Sequence, residues 1–446
     1  MKIVVVGYGS AGLSAADYAR VFNRKAEIVV FEKRSYAIYH PCSLPDALSG
    51  LIPSLEMLKE SAPKMPRFTV YTSTLVEEIN SSTKKVFARN LKNGEKIEVE
   101  YDKLILATGS KPFIPRSMRI EDDAGVYLLK YVEDAESISQ AAKKYKRVVV
   151  VGGGFIGIET AHALRKRGLE VTLIEYFNQL MPGKLDPDIA IHVENALREE
   201  GINVVLGKGV TEITGPEGNK KISTSDQEYT SDFVVVATGV RPDTSLAKSV
   251  GLEVGEKGGI KVDEYMRTSN PDIYAAGDNV EVPEIVTGKP VLSLLGSTAV
   301  KMGRIAGINA AGGNIAFKGV VNVWIVNIGS LQFGATGLTL ETAKREGIDA
   351  IAVTISAPEK LAIYPDAGEL TVRLIVERES GLLIGGQVLG PTGVLDRLNM
   401  LAIALMKKMN VEELAELETA YTPSLCDVID PLHVAADAAL RRLRRG

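Results

Sequence analysis

Ile3-Val4-Val5-Val6-Gly7-Tyr8-Gly9-Ser10-Ala11-Gly12 and, further along, Val148-Val149-Val150-Val151-Gly152-Gly153-Gly154-Phe155-Ile156-Gly157 are two versions of one device. In each, a short apolar run of the kind buried in a parallel sheet meets glycines spaced Gly-x-Gly-x-x-Gly. The first glycine permits a tight turn, the second lets the backbone approach a pyrophosphate, and the third lets the next helix pack on the strand. That helix offers its free N-terminal N–H groups to the phosphates. After the first copy, a helical segment reaches about Phe22, and a strand from Ile28 to Phe31 ends at Glu32. After the second, a helix with Arg165, Lys166 and Arg167 in its last turn stops at Gly168, and a strand from Val171 to Ile174 ends at Glu175. Each acid is placed to accept hydrogen bonds from ribose hydroxyls. One glycine motif alone would be weak evidence. Two, each between strand and helix and each followed by its acid, predict two dinucleotide sites.

Working outward, Leu104-Ile105-Leu106-Ala107-Thr108-Gly109 and Val234-Val235-Val236-Ala237-Thr238-Gly239 form a second matched pair, buried strands that end in the same turn. Each closes one dinucleotide unit. Asp272-Ile273-Tyr274-Ala275-Ala276-Gly277-Asp278 puts another acid at a strand end, so the first unit is expected to be interrupted by the second and then resumed. Beyond it the pattern changes to α+β: a helix from Thr339 to Glu346, strands from Leu370 to Val376 and Leu383 to Val388, and a helical stretch from Asp396 to Lys408. This segment has no dinucleotide signature, and oligomerisation is its natural role.

Bulk composition agrees. A chain of 446 residues exceeds what one core usually serves. Hydrophobic residues at 45% and charged residues at 24% describe an ordinary globular protein. A net charge of -4 gives no reason to expect nucleic acid. The basic cluster Arg441, Arg442, Arg444 and Arg445 follows an alanine-rich stretch and suits a helix C-terminus. Two cysteines make no disulfide framework and point to a reducing cytoplasm. The apolar run at Met1 to Val6 is too short for a signal peptide, no stretch approaches a membrane span, and no metal site is expected.

These residues resemble the two-dinucleotide-binding-domain flavoproteins, the family with the fold of glutathione reductase. Within it, Tyr39-His40-Pro41-Cys42-Ser43-Leu44-Pro45 is similar to the single-cysteine branch of coenzyme A disulfide reductase, persulfide reductase, NADH oxidase and NADH peroxidase. The resemblance implies an α/β protein of three parts. These are an FAD domain (1–112 and 246–322), an NADH domain (113–245) and a C-terminal dimerisation domain (323–446). For FAD it implies Gly7, Gly9, Ser10, Ala11, Gly12, Glu32, Lys33, Cys42, Val76, Ala107, Thr108, Gly109, Asp278 and Ala299. For NADH it implies Gly152, Gly154, Phe155, Ile156, Gly157, Glu175 and Gly239, with Phe155 as the aromatic that lies over the flavin until nicotinamide displaces it. No Arg or Lys lies between Tyr176 and Met181 to pair a 2′-phosphate, which favours NADH over NADPH.

The chemistry implied is reduction of a persulfide, polysulfide or coenzyme A disulfide through Cys42, which forms and breaks a mixed disulfide. Cys42 to Gly50 is expected to be a short helix whose N-terminus favours the thiolate. Tyr364 and Tyr421 match tyrosines that the branch supplies from the partner subunit, so a homodimer with shared sites is expected. Alternatives are NADH oxidase chemistry and reduction of a small redox protein. Departures bear on the choice. Ser10 stands where peroxidases and oxidases carry histidine, Ile38 stands where a serine is usual, and Asp46 brings an acid toward the sulfur, which puts a coenzyme A site in doubt. Cys426 is either a small packed side chain or a second thiol reaching the partner's Cys42.

Overall fold

Lys2–Val6 sits at the centre of a five-stranded parallel sheet, between Lys103–Leu106 and Glu27–Phe31, with Ile273–Ala275 and Phe68–Tyr71 outside them. The computed structural model describes residues 1–445. Because helices cover both faces of such a sheet, its strands are apolar throughout rather than alternating, and Ile3, Val4 and Val5 are fully buried. The helix Ser10–Phe22 leaves the first glycine turn and lies against Gly296–Ala310. A Cβ on Gly303 or Gly307 would come within 2.1 Å of the Ala11 or Ala15 carbonyl, so these two helices touch backbone to backbone. Ile273–Ala275 pairs in parallel with Lys103–Leu106, which returns the chain to the first sheet after the second has been built.

The second sheet repeats the plan in the order Val126–Tyr127, Phe233–Val236, Arg147–Val151, Glu170–Ile174, Asn203–Val205, again all parallel. The two Ala-Thr-Gly turns are coupled reciprocally. Ser110–Pro112 pairs antiparallel with Val240–Pro242. Thr108 Oγ1 donates to the Asp243 carbonyl at 2.6 Å, and Thr238 Oγ1 donates to the Phe113 carbonyl at 2.5 Å. The Asp243 N–H meets the Gly109 carbonyl at 2.8 Å, and the Phe113 N–H meets Gly239 at 2.9 Å. The repeat visible in sequence is therefore a local two-fold relation that aims both units into one space.

The third part is an antiparallel sheet ordered Trp324–Ile328, Leu331–Gly337, Leu383–Gly390, Glu369–Glu377, Ala350–Pro358. Helices Val394–Lys407 and Pro431–Leu443 cover it through Leu398, Leu401, Leu405, Leu432, Ala435 and Ala439. Arg441 and Arg442 fall in the last turn of the terminal helix, where cations offset the helix dipole, and Arg442 Nη1 donates to the Ala352 carbonyl at 3.1 Å.

One buried cluster joins this part to the second sheet. Asp186, 2% exposed, precedes the helix Pro187–Glu199. Its carboxylate accepts from Arg373 Nε and Gln387 Nε2, both at 2.8 Å, and from the Leu340 and Glu341 N–H groups at 3.2 and 3.3 Å. Arg373 also donates to Asp188 at 2.6 Å and to Thr354 at 2.7 Å. Among the described residues, no helix is long and apolar enough to cross a membrane.

Candidate active site

A continuous cavity of about 1470 Å³ runs between the first two sheets, larger than the roughly 300–1,000 Å³ of a single-ligand pocket. The two glycine turns present themselves to it in the same way. A Cβ on Gly7 would sit 2.3 Å from the Ala107 carbonyl, and one on Gly152 would sit 2.4 Å from that of Ala237. Both residues hold positive φ, at 94° and 112°. Gly9 and Gly154 have nothing within 4 Å of a Cβ, because they face open cavity. Gly12 and Gly157 do not line it. They lie behind their turns, where a Cβ would strike the Gly7 or Gly152 carbonyl at 1.9 or 1.8 Å, so their role is packing rather than contact. The residues fit two dinucleotides, one on each helix N-terminus.

The other expected flavin and NADH residues line the cavity: Gly7, Gly9, Ser10, Ala11, Glu32, Lys33, Cys42, Val76, Ala107, Thr108, Gly109, Asp278 and Ala299 on one side. Gly152, Gly154, Phe155, Ile156, Glu175 and Gly239 line the other. The two acids have parallel settings. Glu32 accepts from the Tyr8 N–H at 2.8 Å and pairs with Arg34 at 2.6 Å. Burial opposes its charge, but the hydrogen bonds and ion pair of Arg34 overcome that and hold the carboxyl below the usual range. Glu175 accepts from the Gly153 N–H at 2.5 Å and from the Phe177 N–H at 2.8 Å. Arg34 was missed in the sequence. It lies over the Tyr39 ring at 4.1 Å, and its Nη1 is buried with no protein partner beside the cavity.

Cys42 opens into this cavity, with its Sγ 3.9 Å from the position of a Cβ on Gly296. The expected helix begins later than Cys42. Pro41–Ser43 is a 3₁₀ turn, and the α-helix is Leu44–Ser49, closed by Gly50 at φ 89°. The reason is Pro45, which is tolerated in a helix's first turn but would break an i→i−4 bond in a helix begun at Cys42. The thiol does not gain the expected acidity. Burial pushes it up, Glu159 and Asp278 push the same way, and Lys130 is the one group that pulls it down. The carboxyl nearest in effect is therefore Glu159 on the helix Phe155–Lys166, rather than Asp46. Asp46 acts one step back: burial, then the Asp46 charge, raises Glu159 to about 7.

Lys130, Ser110 and Asp278 form a chain beside the sulfur, with Lys130 Nζ donating to Ser110 Oγ at 2.9 Å and Ser110 donating to Asp278 at 2.8 Å. Thiolate is the reactive form, so alkylation of Cys42 should keep rising with pH beyond the range of an ordinary cysteine, about 8.5. Lys130→Met should shift that profile to higher pH and Glu159→Gln to lower pH. Iodoacetamide trapping followed by mass spectrometry reads both. Shifts in the opposite senses would show that these charges do not govern the sulfur.

Phe155 lines the cavity and meets Trp324 edge-on, with ring centroids 4.8 Å apart. Tyr364 and Tyr421 do not line it. Tyr364 lies in the turn between Ala350–Pro358 and Glu369–Glu377, and Tyr421, 49% exposed, lies in the segment leading to the last helix. Cys426 also lies outside the cavity. Its sulfur accepts from the Thr422 N–H and donates to the Ala420 carbonyl, both at 3.4 Å, a latch within its own loop. His40 pairs with Glu60 at 2.6 Å on the surface.

Residues 1–293 match the pyridine nucleotide-disulphide oxidoreductase family, and residues 325–432 match its dimerisation domain. The chain is 37% identical to an NADH oxidase of Methanocaldococcus jannaschii, over 99% of each chain. It is 33% identical to a CoA-dependent NAD(P)H sulfur oxidoreductase of Pyrococcus furiosus, over 98% of each. The solved structure of an NAD-dependent persulfide reductase from A. fulgidus superposes with a TM-score of 0.96 at 37% identity, covering 100% of this chain and 84% of that one. Two dinucleotide cradles facing one cavity, a cysteine between them and these similarities agree: the chain belongs to the pyridine nucleotide-disulphide oxidoreductase family and is an NADH-dependent flavoprotein oxidoreductase.

Proposed function

We propose that the protein reduces small sulfur substrates (persulfide, polysulfide or coenzyme A disulfide) at the expense of NADH, through Cys42 as its single redox cysteine. The observation that carries this is the place of Cys42: its thiol opens into the shared cavity, and no second cysteine lines that cavity. FAD, which the first glycine turn and Glu32 would hold, would supply the two-electron carrier between NADH and sulfur. The reaction balances as NADH + H⁺ + RSSR′ → NAD⁺ + RSH + R′SH. Cys42 thiolate attacks one sulfur of the substrate, the other leaves as thiol, and the mixed disulfide on Cys42 is then reduced. The first two sheets supply the cradles. Lys130 supplies the cation beside the sulfur.

The leaving thiolate needs a proton or a hydrogen-bond donor. In this proposal the partner subunit supplies it, through Tyr364 and Tyr421. Support comes from the apolar side chains left uncovered beside them, Ile363 at 82%, Leu425 at 74% and Val428 at 63% exposed, a face suited to a second copy of the chain. A phenol stays protonated near neutral pH and can donate. Tyr421→Phe should lower kcat for sulfur substrates by about 10²-fold, leaving the rate of flavin bleaching by NADH within about twofold. Equal loss in both would place Tyr421 in folding or assembly instead.

NADH oxidase activity is the second proposal, favoured by the name of the M. jannaschii relative. Ser10 on the cavity wall, where the resemblance would put histidine for peroxide chemistry, speaks for sulfur. The test is anaerobic NADH turnover against coenzyme A disulfide, coenzyme A persulfide, polysulfide and glutathione disulfide, with oxygen as a separate arm. Turnover with oxygen exceeding every sulfur arm would reverse the order of the two.

A further inference from the structure

Arg34 joins the acid of the first dinucleotide unit to the loop that carries Cys42. Its guanidinium forks onto Glu32, with Nε donating to Oε1 at 2.8 Å and Nη2 donating to Oε2 at 2.6 Å. The Arg34 N–H donates to Oε1 as well, at 2.9 Å. Both partners are nearly shut off from water, Glu32 at 4% and Arg34 at 9% exposed. The fork fixes the guanidinium, whose Cζ lies over the Tyr39 ring, 4.1 Å from its centroid. Tyr36 flanks the same cation at 5.4 Å, and its hydroxyl donates to Glu133 at 3.0 Å. A planar cation on an aromatic face attracts the ring and resists its sliding away. Tyr39 is thus held from the side of Glu32, three residues before the sulfur.

Tyr39 passes the constraint on to Lys130. Its hydroxyl donates to the Lys130 carbonyl at 3.3 Å, and its ring packs against Tyr131 with centroids 6.1 Å apart. The Lys130 and Tyr131 N–H groups both donate to Asp134, in the first turn of the helix Val132–Lys144, at 2.8 and 2.7 Å. The backbone at Lys130 is therefore gripped twice, by the helix through its N–H and by Tyr39 through its carbonyl. From that backbone the ammonium reaches Ser110 Oγ at 2.9 Å. The charges that act on the sulfur are Glu159 on the helix Phe155–Lys166, Asp278 beyond the strand Ile273–Ala275, and Lys130. Of these only the lysine favours the thiolate. His40, two residues before Cys42, is turned to Glu60 instead. Where Lys130 stands decides how much cation the sulfur feels.

We propose that Arg34 is a positioning residue for the redox cysteine: fixed by Glu32, it holds Tyr39, and through the Tyr39 hydroxyl it sets Lys130 beside Cys42. The proposal rests on Cys42 as the redox cysteine. It makes the acid at the first strand end and the sulfur two ends of one run of contacts, so that a change at one is felt at the other. A lysine at position 34 would keep a positive charge on Glu32 but could not both fork onto the carboxylate and cover the Tyr39 ring. An Arg34 that served only to neutralise Glu32 would leave the sulfur indifferent to Tyr39.

The test follows alkylation of Cys42 by iodoacetamide against pH in the FAD-loaded holoenzyme, read by mass spectrometry of the Cys42 peptide. Parent, Arg34→Lys and Tyr39→Phe are compared, each with Lys130 present and in a Lys130→Met background. Tyr39→Phe keeps the ring under the guanidinium and loses only the hydroxyl that holds Lys130. With Lys130 present, each variant should move the midpoint upward by about half a pH unit or more, because a loosened ammonium favours the thiolate less. In Lys130→Met neither should add a further shift, since the group they act through is gone. A midpoint within about 0.2 unit of the parent, in either folded variant, would overturn the proposal. So would equal shifts with and without Lys130, which would mean another route to the sulfur. Flavin absorbance shows that each variant keeps its cradle, and if Arg34→Lys does not, Tyr39→Phe decides alone. Alkylation reads the sulfur whether or not it turns over, so these outcomes are separate from the turnover of Cys42→Ser, which tests the redox role itself.

Discussion

Cys42→Ser should abolish turnover of every sulfur substrate, by about 10³-fold or more, while the protein stays yellow and is still bleached by NADH. A serine hydroxyl cannot form the mixed disulfide that the reaction needs, yet it matches the thiol closely in size and leaves the glycine turns, Glu32 and Glu175 untouched. The long-wavelength charge-transfer band expected from Cys42 thiolate to flavin on partial reduction should vanish in the same variant. Anaerobic stopped-flow absorbance follows both signals. A serine variant with full sulfur reductase activity would remove Cys42 from the chemistry. One that loses only oxygen reduction would favour the oxidase proposal.

The largest stability effect should come from Asp186→Ala. The parent carboxylate is 2% exposed and satisfies Arg373, Gln387 and two N–H groups that open the helix Leu340–Arg345. Removing it leaves a buried guanidinium with only Asp188 for a carboxylate, and that acid is more than half exposed. Breaking a buried pair by removing one partner typically costs about 3–5 kcal/mol. Denaturant unfolding should register that loss, with the second and third parts of the chain separating more readily under limited proteolysis. Arg373→Met together with Asp186→Leu should recover part of the loss, because two apolar groups leave no orphaned charge. A loss within about 0.5 kcal/mol for Asp186→Ala would mean that water replaces the whole network.

What could be read in the sequence was whatever local spacing encodes. The two glycine turns, their acids and the matched Ala-Thr-Gly turns were legible because each is a contiguous pattern whose geometry leaves few residue choices. The apolar strands of the parallel sheets were legible for the same reason. Cys42 stands out in its Cys-x-Leu-Pro, but the α-helix begins after it, at Leu44, because Pro45 fits only the first turn of a helix. Arg34, Lys130 and Glu159 were not found. Lys130 and Glu159 belong to no motif, and each takes its setting from a residue far along the chain, Lys130 from Ser110 and Glu159 from Asp46. Charge placed by tertiary contact leaves no periodic trace.

The contact between Phe155 and Trp324 has an optical consequence. The chain contains one tryptophan, and its indole meets the Phe155 ring edge-on at the wall of the cavity. Tryptophan emission from the native protein therefore comes from a single indole, packed against Phe155. Every arrival at that wall changes the polarity and quenching around one known fluorophore, so the molecule carries its own label. Ligand entry can be timed in the unmodified protein, by light alone.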